Sequence, residues 1–155
     1  ALIRNKFREE ILSKMGVEHF IDPNDEQWLE KVKALTYEGQ GVDYCIDGSG
    51  HPFYQEKCLQ ATVPYGKINF SGHIPGQSFP MKNLDHIIDP GNTIMGQHDV
   101  NARDRETLVR MLCNPTVQKN IDAMVTHVFP MSQAGEAFEV QVSKQCGKIF
   151  LRPWE

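Results

Sequence analysis

A short apolar run that ends in tight-turn residues constrains the fold of this chain most strongly. It extends from Val42 to Ile46 and stops at Asp-Gly-Ser-Gly, residues 47–50. Runs of this length that end in glycine are typical of buried strands. Two further runs, Lys67–Gly72 and Thr93–Gly96, end in glycine in the same way. Because open α/β sheets bind ligands beyond the carboxyl ends of their strands, the three runs predict one ligand-lined sheet edge.

Helical patterns alternate with these strands. One helix is predicted to end near Gly16, and a brief strand follows at His19–Asp22. Later helices carry Trp28, begin at about Pro52 and carry Leu108. This alternation predicts an α/β fold with a doubly wound parallel sheet. The predicted apolar and core positions of the first three helices are Phe7, Ile11, Leu12, Met15, Trp28, Leu29, Val32, Leu35, Phe53, Leu59 and Ala61.

Two later stretches depart from this alternation. Residues 72–91 are rich in proline, glycine and polar residues, and they predict a long surface connection of the kind that is often functional. The tail begins with a predicted strand at Met124–Phe129. A helix that Ser132 caps and that carries Phe138 follows, and the last predicted strand is Lys148–Leu151.

The composition fits an ordinary globular protein with one domain, or one and a fragment. The 155 residues are 40% hydrophobic and 23% charged, with a net charge of −4. No basic stripe favours nucleic acid or a membrane surface. No apolar run approaches the ~20 residues of a membrane span, and the first residues do not resemble a signal peptide.

No metal-binding or catalytic constellation is evident in the sequence. The cysteines are widely spaced and are interpreted as reduced thiols of a cytoplasmic protein. His127 lies between apolar residues and is interpreted as a structural histidine. Asp43 and Asp47 are interpreted as turn-capping groups rather than an acid–base pair. The histidines near predicted loops, which lack the spacing of a metal site, are His73, His86 and His98.

One expected motif does not occur. Dinucleotide-binding folds begin with a strand, a Gly-x-Gly-x-x-Gly turn and a helix whose N-terminus holds the pyrophosphate. In the strand order 3-2-1-4-5-6, that first strand lies in the middle of the sheet. Without this strand, roughly ten backbone groups would lack a partner, and each such group that is buried costs ~1–3 kcal/mol. Even half of them would cancel the ~5–15 kcal/mol that stabilises a domain. The expectation is therefore that this chain is a C-terminal portion that folds with its preceding segment.

Short motifs follow one another in a particular order along the chain. They are Asn5-x-x-Arg8, Lys14-Met15-Gly16, Gly41-Val42-Asp43, Asp47-Gly48-Ser49-Gly50, Gly66-Lys67, Ser71-Gly72, Met95-Gly96, Val125-Thr126-His127-Val128-Phe129-Pro130, Glu136-Ala137-Phe138-Glu139 and Gly147-Lys148-Ile149. In this order they resemble the medium-chain, zinc-type alcohol dehydrogenases, with threonine and polyol dehydrogenases as the nearest branches. The resemblance covers the later part of such an enzyme, from the second strand of its nucleotide domain to its C-terminus.

The resemblance implies a Rossmann-type domain over residues 1–124 that lacks its first strand and glycine-rich turn. Residues 125–155 would be the C-terminal return segment of a GroES-like catalytic domain. The implied activity is hydride transfer between NAD or NADP and an alcohol or polyol, or its carbonyl. The implied partners are the remaining N-terminal part of the enzyme, which would carry the zinc, and a small-molecule substrate. No residue of this chain is expected to be catalytic or metal-binding, and the isolated chain is expected to be inactive.

The resemblance also implies which residues border the cofactor. Where NAD-using relatives carry an acidic residue that binds the ribose, this chain has Ile3, and basic residues follow. Basic groups suit the 2′-phosphate of NADP, so NADP is a hypothesis beside NAD. The residues at this position are Arg4, Asn5 and Arg8. Those on the adenine side are Gly48, Ser49, Gly50 and His51. Those on the nicotinamide side are Gly72, His73, Ile74, Met95, Gly96 and Gln97.

Two alternatives stay open at this point. One is a zinc-free enone or quinone reductase, which shares most of the tail pattern, and the other is a non-catalytic nucleotide-binding or interaction module. In addition, the strand at Thr93 is predicted to be the last of the sheet. Resembling enzymes pair this free edge across a two-fold axis, which predicts a homodimer or homotetramer.

Overall fold

The computed structural model describes residues 1–98 and 101–155, which form two compact units. We call Asn24–Asp99 the central unit, and Ala1–Pro23 together with Val100–Glu155 the terminal unit. The helices are α1 (Lys6–Lys14), α2 (Trp28–Ala34), α3 (Pro52–Ala61), α4 (Arg105–Leu112), α5 (Pro115–Met124) and α6 (Ala134–Ser143). The strands are β1 (Val42–Asp47), β2 (Thr62–Phe70), β3 (Thr93–Gly96), β4 (Val125–Pro130) and β5 (Lys148–Arg152).

The central unit contains a parallel sheet in the order β1-β2-β3. Its register places Ile46, Asn69 and Met95 side by side. One residue further on, Phe70 pairs with both Asp47 and Gly96. The predicted α/β fold with a parallel sheet is therefore confirmed, and β2 is the middle strand of the three.

The two faces of this sheet differ in burial. On one face Ile68 of β2 is fully buried, and Cys58 and Ala61 of the adjacent α3 are buried as well. Burying such a side chain contributes about 1.5–3 kcal/mol. The opposite face, which carries Asn69, is open: Ile46 is 63% exposed and Met95 is 38% exposed. This face is therefore less covered than the face that packs on α3.

The packing of α2 against α3 depends on a lysine held between aromatic rings. The Nζ of Lys57 lies 3.8 Å from the ring centre of Trp28 and 4.7 Å from that of Phe53. Burial lowers the pKa of Lys57, and the ring faces attract its charged form. Trp28 is buried as predicted.

The cysteines are free thiols, and two of them interact between β1 and α3. A hydrogen bond with Cys58 lowers the pKa of Cys45. The same hydrogen bond, together with burial, raises the pKa of Cys58. The hydrogen bond between the two thiols therefore favours ionisation of Cys45 over that of Cys58.

In its described residues the terminal unit combines α1, α4 and α5 with a βαβ element. In that element β4 and β5 pair in parallel, and α6 connects them. Asn5 caps α1 and also donates a hydrogen bond from Nδ2 to the carbonyl oxygen of Lys144 (2.9 Å). The predicted boundary between residues 124 and 125 coincides with the junction of α5 and β4, and it stays a prediction.

Several predicted boundaries are wrong for local reasons. β2 begins at Thr62 rather than Lys67, because Val63–Gly66 form an irregularity opposite β1, in which Tyr65 has a φ of 64°. The predicted strand at His19–Asp22 is only a single bridge between Leu2 and Ile21. The connection at residues 72–91 contains one π-helical turn, Leu84–Ile88.

Other sequence predictions failed at the helix ends and surfaces. Helix α5 was not predicted, although Asn114 caps it and Pro115 is its first residue, which is a recognisable helix start. Ser132 lies within a short 3₁₀ turn and does not cap α6. Predicted core residues Leu35 and Phe53 are exposed, and Phe138 is 69% exposed on α6. Among the described residues, no helix is both long and apolar enough to cross a membrane.

Candidate functional site

The turn after β1 is organised by the buried carboxylate of Asp47, which is 3% exposed. Its Oδ1 accepts hydrogen bonds from the backbone N–H and the hydroxyl of Ser49, at 2.9 and 2.6 Å. Its Oδ2 accepts one from the N–H of Gly50 at 3.0 Å. These donors compensate for removing the carboxylate from water. The prediction that Asp47 is a turn-capping group is confirmed.

The backbone of Asp47 connects this turn to the end of β2. Its carbonyl oxygen accepts hydrogen bonds from the N–H groups of Ser71 and Gly72, at 2.9 and 3.0 Å. The hydroxyl of Ser71 donates to the same oxygen at 3.1 Å. The side chain and backbone of one residue therefore fix the ends of two neighbouring strands.

Two of the glycines are required by how closely these segments approach each other. A Cβ placed on Gly72 would lie 2.0 Å from the backbone nitrogen of Gly50. A Cβ on Gly50 would lie 2.5 Å from the backbone nitrogen of His73, and Gly50 also has a φ of +68°. No side chain fits at either position without backbone movement.

The end of β3 lies at the same edge of the sheet. The N–H of Gln97 donates to the carbonyl oxygen of Phe70 at 3.0 Å, directly after the Phe70–Gly96 pair. A Cβ on Gly48 or on Gly96 would meet no atom of residues 1–98 or 101–155 within 4 Å, so both residues are open toward the described part of the chain. We call Gly48–Gly50, Ser71–Gly72 and Gly96–Gln97 the glycine edge. The structure thus brings together the three strand ends predicted from the sequence.

One polar residue at this edge was missed by sequence reasoning. The Nδ2 of Asn69 donates to the Oε1 of Gln97 at 3.3 Å, whereas the buried Oδ1 of Asn69 has no hydrogen-bond partner in the described part of the chain. An unsatisfied buried polar atom costs about 1–3 kcal/mol. A single polar residue within a strand gives no signal of such a position, because it resembles an ordinary solvent-facing residue.

The remaining predicted site residues at this edge are exposed or partly exposed. His51 caps α3, since its Nδ1 accepts a hydrogen bond from the N–H of Phe53 at 3.2 Å. Its structural function is thus to begin the helix. His73 and Met95 are exposed, and Ile74 is partly exposed. Their predicted contacts with a cofactor stay predictions.

The basic residues predicted to face the ribose belong to the terminal unit. Arg4 and Arg8 are exposed, and Asn5 is engaged as the cap of α1, accepting a hydrogen bond from the N–H of Arg8 at 3.4 Å. The terminal unit also contains an open groove of about 450 Å³ between α1, α5 and β4. Among the residues that line it are Lys14, Asp122 and His127.

The histidines do not form a metal centre. Within residues 1–98 and 101–155, no three His, Cys, Asp or Glu side chains lie close enough together to hold a metal ion. The described residues therefore do not fit a zinc site. His127 contacts the hydroxyl of Thr126 through Nδ1 at 2.9 Å, and its ring stacks on that of Phe129. These contacts agree with its interpretation as a structural histidine.

Replacing Asp47 by Asn tests whether this carboxylate organises the edge. The amide places an N–H group opposite the N–H of either Ser49 or Gly50, so at least one donor loses its acceptor. We expect the free energy of unfolding to fall by about 2–4 kcal/mol, measured by urea unfolding. Asp43→Asn, on the same strand but exposed, is the matched control and should change stability by less than about 0.5 kcal/mol. Equal stability of the two variants would contradict the assignment.

Comparisons with known proteins agree with this geometry. L-threonine 3-dehydrogenase of Caldanaerobacter subterraneus subsp. tengcongensis is 27% identical over 147 residues, which are 95% of this chain and 42% of that protein. The benzyl alcohol dehydrogenase structure from Acinetobacter calcoaceticus has a TM-score of 0.80 at 19% identity, covering 97% of this chain and 41% of that one. A short chain alcohol dehydrogenase from E. coli CFT073, complexed with NADH, has a TM-score of 0.78 at 20% identity, covering 97% and 43%.

The chain thus spans less than half the length of these relatives. The structural similarities, at such low identity, establish the fold. The family described as zinc-binding dehydrogenase matches residues 1–114, which is most of the chain. The chain therefore belongs to the zinc-binding dehydrogenase family.

Proposed function

We propose that this chain is the cofactor-binding part of an NAD(P)-dependent oxidoreductase. The enzyme would transfer hydride between nicotinamide and an alcohol or polyol, or its carbonyl. The glycine edge carries this proposal, because it unites three strand ends at the place where open α/β sheets bind ligands. Membership of the dehydrogenase family supports it.

Two features of the glycine edge support a dinucleotide as its ligand. Gly48 and Gly96 leave open space, so a ligand can approach the backbone closely. The Asp47 hydrogen bonds hold the first turn in place before a ligand arrives, which reduces the entropic cost of binding. We assign Gly48–His51 to the adenine side, and Gly72–Ile74 with Met95–Gln97 to the nicotinamide side.

In this proposal the residues of the chain bind and orient the cofactor, and the nicotinamide supplies the hydride chemistry. The catalytic residues and the zinc would belong to the remaining N-terminal part of the enzyme. The length of the threonine dehydrogenase relative, of which the chain covers 42%, supports such a part. The βαβ element would offer this N-terminal part an apolar surface for contact. Its exposed apolar side chains are Val128, Phe138, Val142 and Phe150.

Titration calorimetry with NAD⁺ and NADP⁺ tests the proposal. We expect Gly96→Val to weaken binding of the preferred dinucleotide at least about tenfold, because the side chain fills space that the ligand needs. Stability should change little, since a Cβ at Gly96 meets no atom of the described residues within 4 Å. Gly135→Val is the matched control, because a Cβ at Gly135 likewise has no neighbour within 4 Å among the residues that the structure describes. Loss of affinity in both variants, or in neither, would contradict the assignment of Gly96 to the cofactor site.

The basic start of α1 is proposed to bind the 2′-phosphate of NADP. If so, the double variant Arg4→Ala/Arg8→Ala should weaken NADP⁺ binding by roughly ten- to a hundredfold and leave NAD⁺ binding unchanged. Arg105→Ala, an exposed arginine of the same unit, should change neither affinity. An equal loss for both dinucleotides would exclude phosphate recognition at this position.

The free edge of β3 is proposed to pair with that of a second copy in a cytoplasmic homodimer or homotetramer. β3 occupies an edge of the three-stranded sheet, and unpaired strand edges favour further pairing. Free cysteines agree with a reducing compartment. Size-exclusion chromatography at two concentrations should show an oligomer at both, and a persistent monomer would disprove this assembly.

A further inference from the structure

Two cysteines of the central unit face each other between β1 and α3. Cys45 pairs with Ile68 in the register of β1 and β2, so its side chain lies on the same face of the sheet as that fully buried residue. Helix α3 packs on this face, and Cys58 lies on its inner side together with the buried Ala61, one helical turn further on. The two thiols are hydrogen-bonded to each other.

The two thiols differ in their access to solvent and in their acidity. Cys45 is partly exposed, whereas Cys58 is only 6% exposed. The hydrogen bond that Cys58 donates lowers the pKa of Cys45, and the same hydrogen bond, together with burial, raises the pKa of Cys58. Because the thiolate is the reactive form of cysteine, the thiol nearer to solvent is also the better nucleophile.

We propose that Cys45 and Cys58 form a redox-modification site, at which hydrogen peroxide converts the two thiols into a reversible disulfide. This site is separate from the proposed cofactor site and does not depend on it. In the first step the sulfur of Cys45 attacks the peroxide. An S–O bond forms as the O–O bond breaks, and the departing oxygen takes up a proton and leaves as water. Cys45 is then a sulfenic acid.

In the second step the buried thiol resolves this sulfenic acid. The sulfur of Cys58 attacks that of Cys45, and the hydroxyl group leaves as water with the proton of Cys58. Two thiols and one hydrogen peroxide thus give one disulfide and two waters, and the two electrons that the sulfurs lose reduce the O–O bond. Because Cys58 is already the neighbour of Cys45, this step is intramolecular and precedes further oxidation.

The position of the pair in the chain gives the disulfide a structural consequence. Cys45 precedes the turn that Asp47 organises, and Cys58 follows the start of α3. The bond would therefore join β1 to α3 and close a loop that contains this turn. The other two cysteines belong to the terminal unit, where Cys113 is exposed and Cys146 is buried against Gln141. They therefore serve as internal references.

Peroxide treatment of the reduced protein, followed by peptide mass spectrometry, tests this site. Free thiols are blocked with N-ethylmaleimide in denaturant, and trypsin then separates the two cysteines into residues 34–57 and 58–67. About one equivalent of hydrogen peroxide should link these two peptides, and dithiothreitol should release them. If both cysteines are still free thiols at a peroxide dose that oxidises the exposed Cys113, the inference is wrong.

Two single variants test the order of the steps. In Cys58→Ser, oxidation of Cys45 should stop at the sulfenic acid, which dimedone labels. In Cys45→Ser, Cys58 should remain a free thiol at the same peroxide dose. Cys113→Ser is the matched control and should leave the linked peptides unchanged. Oxidation of Cys58 without Cys45, or a dimedone-labelled Cys45 without linked peptides in the unmodified protein, would contradict the inference.

Discussion

The glycine edge depends on the burial of one charged group. Three donors bind the carboxylate of Asp47, and three more bind its carbonyl oxygen. A buried carboxylate without such partners would cost several kcal/mol or take up a proton. The side chain of Asp47 binds residues 49–50 and its carbonyl oxygen binds residues 71–72, so one residue determines where two loops lie. The close contact between Gly50 and Gly72 follows from it.

Hydrogen bonding between the parallel strands also fixes the position of the third strand, β3. The backbone of β2 pairs with β1 on one side and with β3 on the other, so Phe70 aligns both with Asp47 and with Gly96. Side chains alternate between the two faces of the sheet along β2, so neighbouring residues have different surroundings. Ile68 faces α3 and contributes to the core, whereas its neighbour Asn69 faces the open side of the sheet. A one-residue slip in register would exchange these positions and destroy both.

The sequence was informative where a local pattern determines structure. The three glycine-ended strands, the caps at Asp47 and the helix at Pro52 follow from residue type and spacing, and the structure confirms them. Features that depend on long-range pairing were missed. The early start of β2 reflects an irregularity opposite β1, and the unsatisfied amide atom of Asn69 is evident only from its contact with Gln97, which follows β3. Helix α5 was also missed, although this local signal, its Asn-Pro start, was present in the sequence.

The glycine edge limits how well backbone groups can distinguish one ligand from another. Backbone groups approach a ligand closely, but they offer similar donors and acceptors to any dinucleotide, so they distinguish poorly between related rings. Discrimination must then come from side chains near the edge. Ser49 is held by Asp47 and His51 caps α3, so both are already engaged in structure. The Asn69–Gln97 pair differs, because it retains an unsatisfied polar atom beside an exposed side chain.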